Sequence, residues 1–425
     1  MPPHWNVRPL RLIGRLLKGS GGSKEDAVEE GVPCVRYGEL YTTHRNFIER
    51  ALSCVTRERA SDYTPIEFGD VLFAASGETI EDIGKSAVNL LHGARCGGDV
   101  VILRPTDAFV PRFLGYATDA APVAAQKSLA GRGSTVKHIY PDELREVVIA
   151  VPPVDEQQAI ANFLDRETGR LDALVAVKQR LIDLLAEKRR AIIATAMTRG
   201  LDPKVKLRDS CVPWLGEIPA HWELWKVGHL AKVGNGSTPD RDKVAYWNEG
   251  SFPWLNSSVV NHEEVTSSDQ FVTDAALREC HLPRLRPGTV LVAITGQGKT
   301  RGQSVVLSIE ATINQHMAFV APNPALVDAW FLRWSFYRAY EYLRSISDDA
   351  GGTKGALTCE DVAGLRIPVP PPDEQRTIVE HIARETARLD AVRAATERTI
   401  ALLKERRTAL IAAAVTGQLD VGVAA

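Results

Sequence analysis

From Val151 to Asp202 apolar residues recur at alternating steps of three and four, and from Val369 to Asp420 the chain writes the same pattern again. The two stretches are VPPVDEQQAIANFLDRETGRLDALVAVKQRLIDLLAEKRRAIIATAMTRGLD and VPPPDEQRTIVEHIARETARLDAVRAATERTIALLKERRTALIAAAVTGQLD. They align without a gap at an offset of 218 residues, and about half their positions are identical. Each predicts one long helix. Pro152 and Pro153, and Pro370 to Pro372 in the second copy, bar an earlier start, and Asp155 or Asp373 stands where an N-cap belongs. Beyond the caps no proline intervenes for roughly 40 residues, and Gly169 is the one interior glycine. Leu171, Leu174, Leu181, Leu185 and Ile192 form an apolar seam in the first copy; Ile378, Ile382, Leu389, Val392, Leu403 and Leu410 form it in the second. The pattern predicts a coiled coil, with Lys178 and Lys188 as polar interruptions that fix register. A helix of this length extends about 60 Å and cannot bury its own stripe, so the obvious partner is the other copy.

Outside the helices the periodicity shortens. Runs such as Gly69-Asp70-Val71-Leu72-Phe73-Ala74 and Val100-Val101-Ile102-Leu103 read as strands between turns rich in Gly, Pro and Ser, and KGSGGSKEDAVEEG (18–31) as a solvated loop. The order is a globule over 1–150, a helix over 151–200, a linker over 201–218, a second globule over 219–368 and a second helix over 369–418. The globules are also related. PPHWNVRPLRLIGRLLKGS (2–20) matches PAHWELWKVGHLAKVGNGS (219–237), with His4 against His221, Trp5 against Trp222 and Gly19 against Gly236. FGDVLFAASG (68–77) corresponds to PGTVLVAITG (287–296), and GSTVKHIYPDELREVVIAVPP leads into the first helix as GTKGALTCEDVAGLRIPVPP leads into the second. Between these anchors the sequences diverge, and seven of the eight tryptophans follow residue 200. Related scaffolds carrying different surfaces imply two ligands, or two halves of one.

Composition narrows the class. A chain of 425 residues supports two or three domains with real cores. Its net charge of −2 is not that of a free-standing nucleic-acid binder, so either DNA is not the partner or other subunits supply much of the phosphate attraction. Six scattered cysteines, with no C-x-x-C pair, argue against a disulfide framework or a structural zinc site. There is no signal peptide and no membrane-length apolar run, which predicts a soluble cytoplasmic protein.

The sharpest local motif is AITGQGKT (293–300), which fits the loose P-loop pattern after a plausible strand. A P-loop must run directly into a helix, whereas RGQSVVLSI continues as another strand and no Walker B partner is evident. This turn is expected instead to be a hairpin loop. No D-P-P-Y-like tetrad for base methylation, no G-x-S-x-G elbow and no H-E-x-x-H occurs, so the chain does not read as an enzyme by itself. His4 and His221 recur beside Trp5 and Trp222, which favours packing at the start of each globule. The open alternatives are an NTP-binding protein using 293–300 and a coiled-coil scaffold joining two protein-binding domains.

WLGEIPAHWELWKV (214–227), the turn Gly236-Ser237-Thr238-Pro239, the P-P-x-x-E-Q opening of each long helix and its R-E-T-x-R-L-D segment occur together. In this order they resemble the DNA-specificity subunit of type I restriction–modification systems, over essentially the whole chain. The first globule begins at Pro2-Pro3-His4-Trp5, without the W-L-G-E-I segment that precedes the second. The resemblance implies an α+β fold: two mixed α/β target recognition domains separated by two long helices packed as an antiparallel coiled coil. Each domain would read one half of a bipartite site in double-stranded DNA, and the helices would set the gap between the halves. Two modification (methyltransferase) subunits would dock on the helices, joined by restriction subunits. S-adenosylmethionine, ATP and magnesium would then belong to those partners, with no catalytic residue, cofactor or metal on this chain. By position in corresponding loops, the candidate DNA-binding residues are Lys18, Ser20, Ser237, Thr238, Lys299, Thr300 and Arg301, with Arg132, Lys137 and Lys354 in the glycine turns before each helix. Asn256, Gln297 and Gln303 carry the amide chemistry that suits adenine edges.

Overall fold

The computed structural model describes residues 1–22, 24–106, 108–131, 137–296, 298–348 and 355–422. It divides into two compact units, Met1–Arg180 with Thr396–Ala425, and Leu181–Ala395. The repeated stretches are single helices, Val154–Arg199 of 46 residues and Pro372–Val415 of 44. The unit boundaries therefore fall inside both helices and not at their starts. Each unit holds one globule, the beginning of the helix that follows it and the end of the other helix. Apolar burial is the reason. In the first unit Ile160 and Leu164 share a core cluster with Ile149, Ile411 and Ala414. In the second, Ile378 and Ile382 share one with Ile193, Met197, Trp222 and Phe331. Within each unit the two helix segments thus run antiparallel.

Both globules are built on the same five-stranded sheet. In the first unit the order is Gly14–Lys18, Val100–Pro105, Val71–Ala74, Ser86–Asn89, Asn46–Ile48; in the second it is Ala231–Asn235, Met317–Pro322, Val290–Ala293, Ser304–Leu307, Glu264–Val265. Neighbours are antiparallel except at the last strand, which is parallel in both. FGDVLFAASG and PGTVLVAITG supply the central strand of each. The helical layers differ. The second unit has one helix, Ala329–Asp348, where the first has Pro111–Asp119 and Ala121–Ala130. Pro122 lacks the N–H that would reach the Thr118 carbonyl, and the buried Lys127 ammonium donates to that carbonyl instead, at 2.8 Å. Burial pushes the Lys127 pKa down to about 8. The diverged stretches form small separate sheets, four-stranded in the first unit and three-stranded in the second.

The repeated P-P-x-x-E-Q now has a physical account. Asn6–Pro9 pairs with Val148–Val151, and Glu223–Lys226 with Arg366–Val369. Each pairing sets the His-Trp of the globule beside the first turn of its helix. Glu156 accepts from the Trp5 indole at 2.8 Å and lies 2.7 Å from His4 Nε2; Glu374 does the same with Trp222 at 3.1 Å and His221 at 2.9 Å. The buried Gln157 accepts from the Val110 N–H and donates to the Pro152 carbonyl. Gln375 accepts from the Asp328 N–H and donates to the Leu326 and Pro370 carbonyls. Val110 and Asp328 stand at the start of the sheet-covering helices, so each glutamine caps one helix from the first turn of another. Asp155 and Asp373 lie inside the first turns, not at the N-cap positions expected of them.

A second repeated device ties helix to helix. Arg189 Nη1 lies 2.7 Å from Asp390 Oδ2, and Arg407 Nε lies 3.3 Å from Asp172 Oδ2. Each member stands 218 residues from its counterpart. Arg189 also pairs with Glu263, and Arg407 donates to Asn46, so each arginine reaches the last strand of its own unit's sheet or the loop just before it. The seam itself is corrected at one repeated place. Leu171 is buried, but Leu174 is 42 % exposed and Val392 is 47 % exposed. After Leu171 the inward step is four residues, to Val175, because 3.6 residues per turn rotates the next three-residue step off the seam. Lys188 is exposed and does not interrupt the seam. The span 201–218 is not all linker, since Leu207–Asp209 pairs with Glu217–Pro219. Among the described residues no helix is long and apolar enough to cross a membrane.

Gln375→Ala should remove the side-chain partner of the Asp328 N–H and of the Leu326 and Pro370 carbonyls, at about 1–3 kcal/mol. Denaturant unfolding followed by tryptophan fluorescence should move to lower midpoint. Gln157→Ala should move it less, because Trp5 is the one tryptophan of the first unit.

Candidate nucleic-acid interface

Sheet register brings separate parts of each globule to one end. In the first unit Lys18 pairs with Val101 and Ala74 with Val100, so the segments after Lys18 and after Ala74 emerge side by side. In the second, Asn235 pairs with Ala318 and Ala293 with Met317, which places the Gly-Ser-Thr-Pro turn, the loop 294–303 and Asn314–His316 together. The chain before each long helix comes to the same end, through Ile139 N–H to the Ala75 carbonyl at 2.9 Å and Leu357 N–H to the Ile294 carbonyl at 2.8 Å. The paired glycines have one cause: a Cβ at Gly19 would sit 2.4 Å from the Gly97 carbonyl oxygen, and one at Gly236 would sit 1.8 Å from that of Ile313. Backbone passes backbone too closely there for any side chain.

In the first unit Lys18 is exposed, and Ser20 is exposed with its N–H and hydroxyl on Thr64 Oγ1. The Lys137 backbone pairs with Gly77. Arg132 lies outside the described residues, as do Gln297 and Lys354 in the second unit. There, Ser237 donates to the Cys280 carbonyl at 3.4 Å, and Thr238 donates to Gln315. Lys299 is exposed, while Thr300 and Gln303 are half-buried. Arg301 is corrected: it is 5 % exposed, paired with Asp348 and donating to the Gly355 carbonyl. A buried guanidinium with a carboxylate partner braces the loop and does not face a phosphate. Asn256 accepts from the Ser258 N–H at 2.9 Å and caps the short helix Ser257–Asn261, which occupies its carbonyl.

Residue order did not reveal a cluster that includes Arg241, Trp247, Trp254 and Gln270, nor the contact of Thr295 Oγ1 with His316 Nδ1 at 2.8 Å. The Arg241 guanidinium carbon stands 4.0 Å from the Trp247 ring centroid and 4.8 Å from that of Trp254. Beside it, Lys243 donates to Glu279 at 2.8 Å and to Tyr246 at 2.7 Å. The Glu279 carboxylate raises the Lys243 pKa, and the ammonium lowers that of Glu279. The one available signal was the concentration of tryptophan after residue 200.

The loop 294–303 joins Val290–Ala293 to Ser304–Leu307, antiparallel with Val292 opposite Ser304. It is a hairpin, with Gly298 and Gly302 at φ +73° and +86°. No helix N-terminus follows it, so it is not a P-loop.

The family model of the type I restriction modification DNA specificity domain matches residues 219–395. The EcoKI specificity subunit of Escherichia coli (strain K12) is 22 % identical over 443 residues, covering 99 % of this chain and 90 % of that one. The MjaIX specificity subunit of Methanocaldococcus jannaschii is 21 % identical over 436 residues, covering 99 % and 95 %. Along nearly its whole length the chain is similar to specificity subunits of type I restriction–modification systems. A chain from a study of complex assembly and conformational transition in a type I restriction–modification system shares the fold, at a TM-score of 0.75 and 19 % identity over 99 % of both chains.

Adding ATP and magnesium should leave the thermal midpoint of the purified chain unchanged. A nucleotide site filled at a hundred times its Kd would instead add about 2.7 kcal/mol.

Proposed function

We propose that this chain is the non-catalytic DNA-specificity subunit of a type I restriction–modification complex, each globule reading one half of a bipartite site. The observation that carries the reading is one scaffold used twice, on segments of the same two helices, with unlike loops at the corresponding sheet ends. Reading unlike half-sites needs unlike loops, and a fixed gap needs a rigid spacer. The exposed Leu174, Val177 and Leu402 of the first unit, and Leu184 and Val392 of the second, support docking of two modification subunits on the helices. Restriction subunits, S-adenosylmethionine, ATP and magnesium belong on this reading to the partners, which also supply the positive charge that a net −2 chain lacks.

Replacing residues 1–150 with those of a relative, in cells that supply the modification subunit, tests the reading. Genome-wide methylation should change in one half of the recognised sequence and keep the other half and the gap. A change in both halves, or no sequence-defined methylation from either chain, would refute it. Val177→Asp, at a position 67 % exposed, should abolish co-purification with the modification subunit while shifting unfolding by no more than about 0.5 kcal/mol.

A further inference from the structure

Arg241 differs from several other exposed arginines of the second unit. Arg199, Arg284 and Arg376 each have a carboxylate partner, at 3.3, 2.8 and 2.7 Å. Arg241 is exposed and, among the described residues, has none within ion-pair distance, although Asp240 and Asp242 flank it. Asp240 is turned elsewhere, its carboxylate accepting the Asp242 N–H at 3.0 Å.

Its side chain is nonetheless fixed. The guanidinium lies against both indoles, which meet edge to face at 5.3 Å and 83°. Nη2 donates to Gln270 Oε1 at 3.0 Å. The indoles are fastened to the same loop, Trp254 to the Ser237 carbonyl at 3.2 Å and Trp247 to that of Asp240 at 2.9 Å. A free arginine would lose rotamer entropy on being held in place; here that freedom is already gone. Stacking and one amide bond hold the plane of the fork, and the second N–H of Nη2 stays free beside a parallel N–H of Nη1 or Nε, so one edge of the fork remains open to two acceptors.

We propose that Arg241 is a specificity-determining residue of the second globule and reads a guanine in its half-site, through the paired O6 and N7 acceptors of the major-groove edge. This rests on the reading of the chain as a DNA-specificity subunit. A phosphate contact needs charge near the backbone and tolerates a mobile side chain, whereas a base edge fixes both the plane and the distance of its donor. The corresponding loop of the first globule, residues 19–31, has neither arginine nor tryptophan, so the contact belongs to one half-site only.

The test expresses the full chain with its modification partner and reads genome-wide methylation for wild type, Arg241→Lys and Arg241→Ala. Lysine keeps the charge but loses the planar fork. Both variants should keep the first half-site and the gap, which shows that the chain is folded and assembled. Discrimination at one G·C pair of the second half-site should fall about 5- to 150-fold. An intact motif with uniformly weaker methylation would mean a phosphate contact. An intact motif with only a lower unfolding midpoint would mean that Arg241 merely covers the two indoles. Either result overturns the assignment, as does a wild-type second half-site without a G·C pair. Absence of any bipartite motif from the wild-type complex would instead overturn the reading of the chain as a specificity subunit.

Discussion

A helix of more than 40 residues with an apolar stripe must have that stripe covered along its whole length, and no single globule of this size reaches so far. The chain meets this constraint by letting each globule cover the start of its own helix and the end of the other. The buried residues Ile160, Leu164, Ile411 and Ala414 in one unit, and Ile193, Met197, Ile378 and Ile382 in the other, do this by dispersion and by exclusion of water. Arg189 with Asp390 and Arg407 with Asp172 then fix which turn lies against which, because a slip of one turn would separate both partly exposed pairs. The apolar seam supplies the attraction. The ion pairs supply register.

What is repeated and what is not divides along the same physical line. Glu156 and Glu374 hold an indole and an imidazole, and the buried Gln157 and Gln375 cap neighbouring helices. The two glutamines are buried, so an amide of different length would leave a donor or carbonyl unpaired. Such positions admit little change, and the chain writes them twice unchanged. Loop ends are solvated on one side and tolerate almost any polar residue. There the halves part company: a solvated stretch bearing Lys18 and Ser20 in one, and in the other an arginine fixed on two tryptophans.

Near-neutral charge is compatible with this arrangement. Several cations that look free in the sequence are already paired, Lys127 with carbonyls and Asp119, Arg301 with Asp348, Lys243 with Glu279. The charge left for a polyanion is therefore local. Recognition by such a surface depends on where a few donors are held rather than on the total number of positive groups.

The sequence by itself determined the two long helices, the doubling of the globule, the equivalence of the anchor segments and the hairpin character of 293–303. All of these follow from local pattern: periodicity, proline and glycine placement, and repetition at a constant offset. Tertiary structure decided the rest. It showed that the packing units divide within the helices, that Leu174 and Val392 turn outward, that Arg301 is buried against Asp348, and that Arg241 meets Trp247, Trp254 and Gln270. Each of these depends on which strand lies beside which, or on where a helix face points after several turns. Those are relations between residues far apart in the chain, and the order of residue types does not contain them.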